Sequence, residues 1–440
     1  MIRNIGMVSL GCPKNQVDAE NMLALLSKAG YQIVNKSEEA DAIIVNTCGF
    51  IGPAKEESID AILEQAKYKT IGNCKALIVT GCLAQRYSKA LYEEIPEIDA
   101  IIGTGHYQDI VNVISHCLTG ERMVDISNID CNIVQNLPRI LTTPPHTAYL
   151  KIAEGCSNFC TYCIIPKLRG KYRSRSIDSI VDEAKLLVDN GVQELILIAQ
   201  DVAAFGTDMK NGSLVELLNR LCDISNLKWL RLLYCYPDRI DDDLLDTIAI
   251  QPKICKYLDI PIQHINQDIL KRMNRHVSSD KIKSLLDRIH QKIPDAIVRT
   301  SIIVGFPGET DEHFDELMQF IKQYPFNRMG VFCYSQEEGT PAARYENQVD
   351  NETKVNRQKL LMMEQRKISK KLNRKRVGQV VDVLIEGTDS PNVYFGRSYG
   401  EALGIDGQIF VMSNRELSRG DFVSVKISKA YDYDLLGDAL

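Results

Sequence analysis

Apolar and polar positions follow two rhythms along the first third of the chain. Nearly continuous apolar runs, of the kind buried on both faces of a parallel sheet, fall at residues 5–10, 41–46, 75–80 and 98–102. Helical-period stretches follow two of them, at 18–26 and 54–67. This alternation predicts a small parallel α/β domain of the flavodoxin or Rossmann-like kind over residues 1–138. A threonine- and proline-rich stretch at 141–145 reads as the linker that ends it.

A second series of βα units begins after the linker. Strands are predicted at 148–153, 194–199, 228–234, 257–262, 298–304 and 329–334, with helices at 177–190, 214–222, 281–290 and 311–324. Six units predict a partial (β/α)6 barrel over 139–370, with its ligand face at the strand C-termini. A basic helical connector at 366–376 leads into a third region, 371–440. There the rhythm shortens to β-runs at 379–385, 393–398, 408–412 and 422–427, separated by glycine turns. That pattern predicts a small antiparallel, OB-like barrel.

Composition narrows the class. The chain has 440 residues, 45% hydrophobic and 25% charged, which suits a soluble globular protein of two or three domains. A net charge of -6 leaves no overall basic footprint for nucleic acid. No apolar stretch approaches the length of a membrane span. Ser9-Leu10-Gly11-Cys12 has only a superficial likeness to the end of a lipoprotein signal, because the apolar run before it is too short. A cytoplasmic protein with no membrane partner is expected. Thirteen cysteines cannot all pair, so reduced thiols, some of them ligands, are expected.

Six of those thiols have a distinctive setting. Cys156, Cys160 and Cys163 form a C-x-x-x-C-x-x-C group in one loop after a predicted strand, able to bind a soft metal centre as thiolates. Structural zinc would want a fourth ligand nearby, whereas three thiolates on a four-iron cluster would leave one iron open. A zinc knuckle or a chance cluster is the alternative. Cys12, Cys48 and Cys82 each follow the C-terminal end of a predicted strand, with glycine beside each. In a parallel sheet those ends share one ligand-binding edge, so three thiols distant in sequence should meet in space. Cys74, Cys117 and Cys131 lack that setting and read as ordinary small apolar residues. Cys222, Cys235, Cys255 and Cys333 read as core packing. Polar groups also stand at strand ends: Gln200 and Asp201, Gln263 and His264, and the turn from Gly305 to Glu309. These could orient a nucleoside and its polar substituents. Arg169, Lys171, Arg173 and Arg175 form a basic run beside the three-thiol loop.

The Cys156, Cys160, Cys163 spacing resembles the signature of radical S-adenosylmethionine (SAM) enzymes. Val45-Asn-Thr-Cys48-Gly-Phe and Gly81-Cys82-Leu-Ala-Gln-Arg resemble the N-terminal domain of the methylthiotransferase branch, and residues 371–440 its TRAM domain. The resemblance implies two [4Fe-4S] clusters and SAM as cofactors. Cys12, Cys48 and Cys82 would hold the auxiliary cluster that carries the transferred sulfur. Cys156, Cys160 and Cys163 would hold the cluster that cleaves SAM, with Tyr162 beside the adenine. Tyr162, Gln200, Asp201, Gln263, Gly305 and Glu309 would then be cofactor-binding residues.

The substrate follows from charge and local motifs. From residue 377 onward the cations are Arg397, Arg415, Arg419, Lys426 and Lys429. The anions are Asp382, Glu386, Asp389, Glu401, Asp406, Glu416, Asp421, Asp432, Asp434 and Asp438. Five positive against ten negative is a poor RNA platform and suits a basic protein. Tyr334-Ser-Gln-Glu-Glu338-Gly-Thr-Pro341, Gly396-Arg-Ser, Ile405-Asp-Gly407 and Tyr433-Asp-Leu-Leu-Gly437 are similar to the ribosomal-protein (RimO-type) branch; Leu403-Gly404 departs from its proline-containing loop. That branch implies methylthiolation of the β-carbon of an aspartate in small-subunit ribosomal protein S-twelve, with a reductant such as flavodoxin or ferredoxin. The rivals are the same chemistry on isopentenyl-adenosine of tRNA (MiaB type) and a non-catalytic, metal-stabilised ribosome-binding protein.

Overall fold

Every residue of Ala42–Thr47 and of Ala76–Gly81 is buried, as their opening runs of four apolar residues require of strands covered on both faces. They are β3 and β4 of a sheet built from β1 (Asn4–Ser9), β2 (Gln32–Val34), β3, β4, β5 (Ala100–Ile102) and β6 (Met123–Asp125). All neighbours run parallel in the order β2-β1-β3-β4-β5-β6. The computed structural model describes residues 2–127, 129–131 and 133–440. The edge strands β2 and β6 were not expected: three residues each, half-buried or exposed, they give no periodic signal. Two helices, Cys82–Glu94 and Ile110–Cys117, were also not expected.

The second sheet contains β7 (Thr147–Lys151), β10 (Glu194–Ile198), β11 (Trp229–Leu232), β12 (Ile254–Asp259), β13 (Ile297–Val304) and β14 (Arg328–Cys333). They are parallel in the order β14-β13-β12-β11-β10-β7, an open partial barrel. The single strand expected at 148–153 divides instead. β8 (Ala153–Glu154) leaves the sheet to pair with β9 (Arg173–Ser174), and the three-thiol loop lies between them. Leu195 and Leu197 pack with the outer helices, while Ile196 and Ile198 face the interior with Trp229 and Tyr257. This is the period of two that a strand imposes.

The C-terminal strands β15 (Val380–Ser390), β16 (Val393–Arg397), β17 (Ile409–Met412), β18 (Phe422–Ala430) and β19 (Leu435–Ala439) close as β15-β16-β17-β19-β18. β19 was not expected and runs parallel to β17, so the barrel is not wholly antiparallel. Its five residues include glycine and aspartate, which hide the alternation. The basic stretch at 366–376 is largely the end of one long helix, Asn351–Arg374, rather than a separate connector.

This small barrel stoppers the N-terminal end of the partial barrel. Leu384, Ala402 and Phe422 pack with Trp229, Cys255, Tyr257 and Ile297. Between them Glu194, fully buried, takes Arg231 Nε at 2.8 Å and Arg397 Nη2 at 2.7 Å. Burial opposes ionisation of Glu194, yet Arg397 and Arg231 outweigh it and hold the carboxyl down to about 2. The folded value lies below that of a free glutamate, about 4.3. The stabilisation is therefore complete above that pH and is lost as the pH falls from there through about 2. Trp229 is the single tryptophan and meets the Phe422 ring edge-on at 4.7 Å, so its fluorescence reports the docking. Urea titration followed by that signal is expected to show the midpoint falling across this pH window. Glu194→Gln should lower it at pH 7 by the equivalent of about 3 kcal/mol, because two guanidiniums lose their carboxylate. Unchanged midpoints would contradict this reading of the interface.

Candidate active site

The strand order decides where the first three thiols meet. β1, β3 and β4 are immediate neighbours, and Cys12, Cys48 and Cys82 follow their C-terminal ends. The sheet reverses its order between β1 and β3, where open α/β sheets bind ligands. Thr47 pairs with Gly81, and Gly81 (φ 94°) leaves no room for a side chain: a Cβ there would stand 2.4 Å from the Thr47 carbonyl oxygen. Cys48 Sγ lies 3.2 Å from the point a Cβ on Gly11 would occupy, which puts it beside Cys12. Asn15 ties these ends together. Its Nδ2 donates to the carbonyls of Thr47 (2.8 Å) and Leu10 (3.2 Å), and its Oδ1 faces Cys82 Sγ at 3.8 Å. A cavity of about 250 Å³ opens beside this edge, lined by Met7, Ser9, Leu10, Gly11, Cys12 and Gln16 among others.

The second three thiols sit on a loop held by backbone bonds. Cys156 N–H donates to the Gly170 carbonyl at 3.1 Å and Cys163 N–H to the Cys160 carbonyl at 3.0 Å. Gly155, with φ of 81°, starts the turn; a Cβ there would fall 2.0 Å from the Lys171 carbonyl oxygen. Burial pushes the Cys82 and Cys156 thiols up to about 11 and raises those of Cys48 and Cys163. Thiols so placed become thiolates when a metal centre takes them.

One juxtaposition joins the two groups. Ile164, next in the chain to Cys163, and Leu168 pack directly on Cys82. Arg169 ends the same short helix, Ile165–Arg169, and its guanidinium meets Asn15 Oδ1, Asp18 Oδ2 (2.7 Å) and Glu154 Oε2 (3.1 Å). Lys151 bridges the same carboxylates, bonding Asp18 and, at 2.8 Å, Glu154. Burial alone would raise Glu154, but Arg169 and Lys151 reverse that and hold it far below the usual carboxylate range. Sequence reasoning assigned no role to Asn15, Asp18, Lys151 or Glu154. No signal in the sequence marked them; the structure buries Lys14, Asn15, Asp18, Glu20 and Asn21 together on the first helix. The expected linker is held against that helix, since Thr142 N–H and hydroxyl both donate to Glu20 Oε1.

The other expected residues line the strand ends. Gln200 donates to Glu154 at 2.7 Å, and its own Oε1 is buried without a partner. Tyr162 packs beside Met273, Phe306 and Tyr334, whose hydroxyl is likewise buried and unpartnered. Asp201 braces the loop through Asn158 (3.0 Å) and Arg239 (2.9 Å); burial raises its pKa. Gln263, at φ 71°, bonds β13 through Ser301 and Ile303. Gly305 donates to Glu309 at 2.9 Å; the stem of Lys354 covers Gly305, and Arg357 pairs with Glu309 at 2.8 Å. His264 is fully buried, and burial drives its pKa down to about 3. Cys74, Cys222, Cys235 and Cys255 are core residues, whereas Cys333 is half-exposed beside Gln358.

Among the described residues, no group of three His, Cys, Asp or Glu side chains is drawn together as a site for one metal ion. Thiolates sharing one zinc each lie about 2.3 Å from it. Ligands of an iron–sulfur cluster each take a different iron, which suits thiols spread over strand ends about 4.8 Å apart. No described helix is long and apolar enough to cross a membrane.

Known proteins resemble the chain in each of its three regions. Residues 4–103 match the uncharacterized protein family UPF0004, 150–321 the radical SAM superfamily and 377–440 the TRAM domain. The chain is 53% identical over 99% of both lengths to the ribosomal protein uS12 methylthiotransferase RimO of Desulforamulus reducens. It is 51% identical to that of Clostridioides difficile, over 99% of this chain and 98% of that one. In fold it resembles the radical SAM methyltransferase TsrM of Kitasatospora setae, solved with cobalamin and a [4Fe-4S] cluster. That likeness has a TM-score of 0.58 at 13% identity and covers 92% of this chain and 82% of that one. With near-complete coverage at about half identity, the chain belongs to the RimO family of radical SAM methylthiotransferases.

Proposed function

We propose that the chain places a methylthio group on the β-carbon of one aspartate of ribosomal protein S-twelve, with Cys12, Cys48 and Cys82 holding one [4Fe-4S] cluster and Cys156, Cys160 and Cys163 another. One observation carries this reading: Cys82, on the first group's edge, packs against Ile164 and Leu168, which leave the second group's loop. Bound together, the clusters and SAM supply a transferable sulfur and a radical able to take hydrogen from an unactivated carbon.

The residues of the chain bind, orient and keep water out. Gln200 Oε1 and the Tyr334 hydroxyl are unpaired buried groups at the ends of β10 and β14, a fit for a polar nucleoside. The Tyr162 ring supplies an apolar wall. Asp201, Gln263, Gly305 and Glu309 shape the pocket by fixing the strand ends. The reading takes residues 1–138, 139–370 and 371–440 as three units, the last presenting a predominantly acidic face to a basic protein. Arg397, one of its five cations, is buried against Glu194, which further weakens an RNA-binding reading. A low-potential donor such as flavodoxin or ferredoxin would supply electrons.

Anaerobically reconstituted protein is expected to hold about eight irons per chain, falling to about four when Cys12, Cys48 and Cys82 are changed to serine. Serine at Cys156, Cys160 or Cys163 should abolish reductive cleavage of SAM. Zinc in place of iron, or cleavage unchanged by those substitutions, would count against the assignment. In a strain lacking the gene, mass spectrometry should find S-twelve without its methylthio group and tRNA unaltered; the reverse would transfer the function to tRNA.

A further inference from the structure

Most buried cations at this junction have carboxylate partners; Arg275 instead stacks on Tyr236 and donates to the Pro261 carbonyl, and Lys354 lies over the Tyr334 ring. Lys151 and Arg169 share Asp18 and Glu154, Arg139 has Glu20 and Glu183, and Arg86 has Glu337. Lys14, two residues after Cys12 and only 7% exposed, has no ion pair among the described residues. Its Nζ stands 3.4 Å from the centroid of the Tyr234 ring. Tyr234 follows β11 with a φ of 62°, a conformation that a bulky residue adopts only when its surroundings impose it. Its N–H donates to Asp259 Oδ2 at 2.9 Å and its carbonyl accepts from Val202 N–H at 2.9 Å, so the ring is held in place. Lys14 thus reaches from the Cys12 edge of the first domain to a strand end of the second. A ring face partly compensates an ammonium for lost water, but a full anion would do so better.

The geometry points to Lys14 as the group that receives the side-chain carboxylate of the substrate aspartate, setting its β-carbon between the two thiol groups. The inference rests on the functional reading above. The reaction replaces one hydrogen on the neighbouring carbon and leaves the carboxylate charged throughout, so one ammonium can hold it from binding to product. Lys14 is a positioning residue in this account. The methionyl carboxylate of SAM is the other anion of the same chemistry at the site, and the test separates the two.

Cluster-loaded wild type, Lys14→Met and Lys14→Arg are compared for binding of a fluorescent peptide spanning the target, with aspartate or asparagine at the modified position, and for the KM of peptide and of SAM. Lys14→Met is expected to weaken the aspartyl peptide about 10- to 100-fold, to leave the asparaginyl peptide within about twofold, and to raise the KM of the peptide rather than that of SAM. Lys14→Arg should restore most of the aspartyl preference. Equal binding of the aspartyl peptide by wild type and Lys14→Met, or a rise confined to the KM of SAM, would overturn the assignment. If Lys14→Met loses its iron, the wild type still decides: equal affinity for the two peptides overturns the proposal, and a preference for aspartate kept by Lys14→Arg supports it. A wild type that binds the peptide but transfers nothing to it would instead refute the functional reading, and the Lys14 role with it.

Discussion

Two carboxylates and two cations, Asp18, Glu154, Lys151 and Arg169, fix the three-thiol loop against the first domain. Glu154 precedes Gly155 and Cys156, and Arg169 ends the helix that follows Cys163, so the loop is gripped at both ends. Both grips lead to the first helix: Arg169 bonds Asp18 directly, and Glu154 reaches it through Lys151. Buried ions are expensive to strand, and removing any one leaves its neighbours uncompensated. Docking of the two parts therefore has little intermediate ground. The same helix carries Asn15, which knots the ends of β1 and β3 to the Cys82 sulfur, so the position of one thiol group is set by the contacts that set the other.

The opposite end of the partial barrel follows similar physics with a different purpose. Glu194 and Glu401 are buried carboxylates, held down to about 2 against the effect of burial, by Arg397 and Arg231 in one case and Arg376 and Arg328 in the other. They join the small barrel to the N-terminal ends of the strands, around an apolar patch that includes Trp229 and Phe422. Access to the interior is thereby left to the C-terminal mouth, which faces the first domain. A site for radical chemistry needs water kept away, and an interior stoppered at one end and faced by a second domain at the other meets that need.

Much of this frame was legible in the sequence because long apolar runs in a parallel sheet announce themselves. The strands from Ala42–Thr47 to Ala76–Gly81 and the six strands of the partial barrel fall within a few residues of the expected positions. The C-x-x-x-C-x-x-C spacing and the glycines beside Cys12, Cys48 and Cys82 set these six thiols apart in the sequence itself. The short edge strands Gln32–Val34 and Met123–Asp125 and the last strand, Leu435–Ala439, escaped because a few residues carry no period. The charge network escaped for a deeper reason. Lys14, Asp18, Lys151 and Arg169 look like surface residues in sequence, and each finds its buried partner in a part of the chain more than a hundred residues away.

The central claim is that one buried set of ions brings two groups of three thiols to a shared gap. Diffraction from crystals of anaerobically reconstituted protein, recorded at the iron absorption edge, tests this most directly. The account predicts two iron centres, one at Cys12, Cys48 and Cys82 and one at Cys156, Cys160 and Cys163, facing one cavity bordered by Lys14 and Tyr234. A single iron centre, or two separated by the Asp18 to Arg169 network with no common cavity, would contradict it.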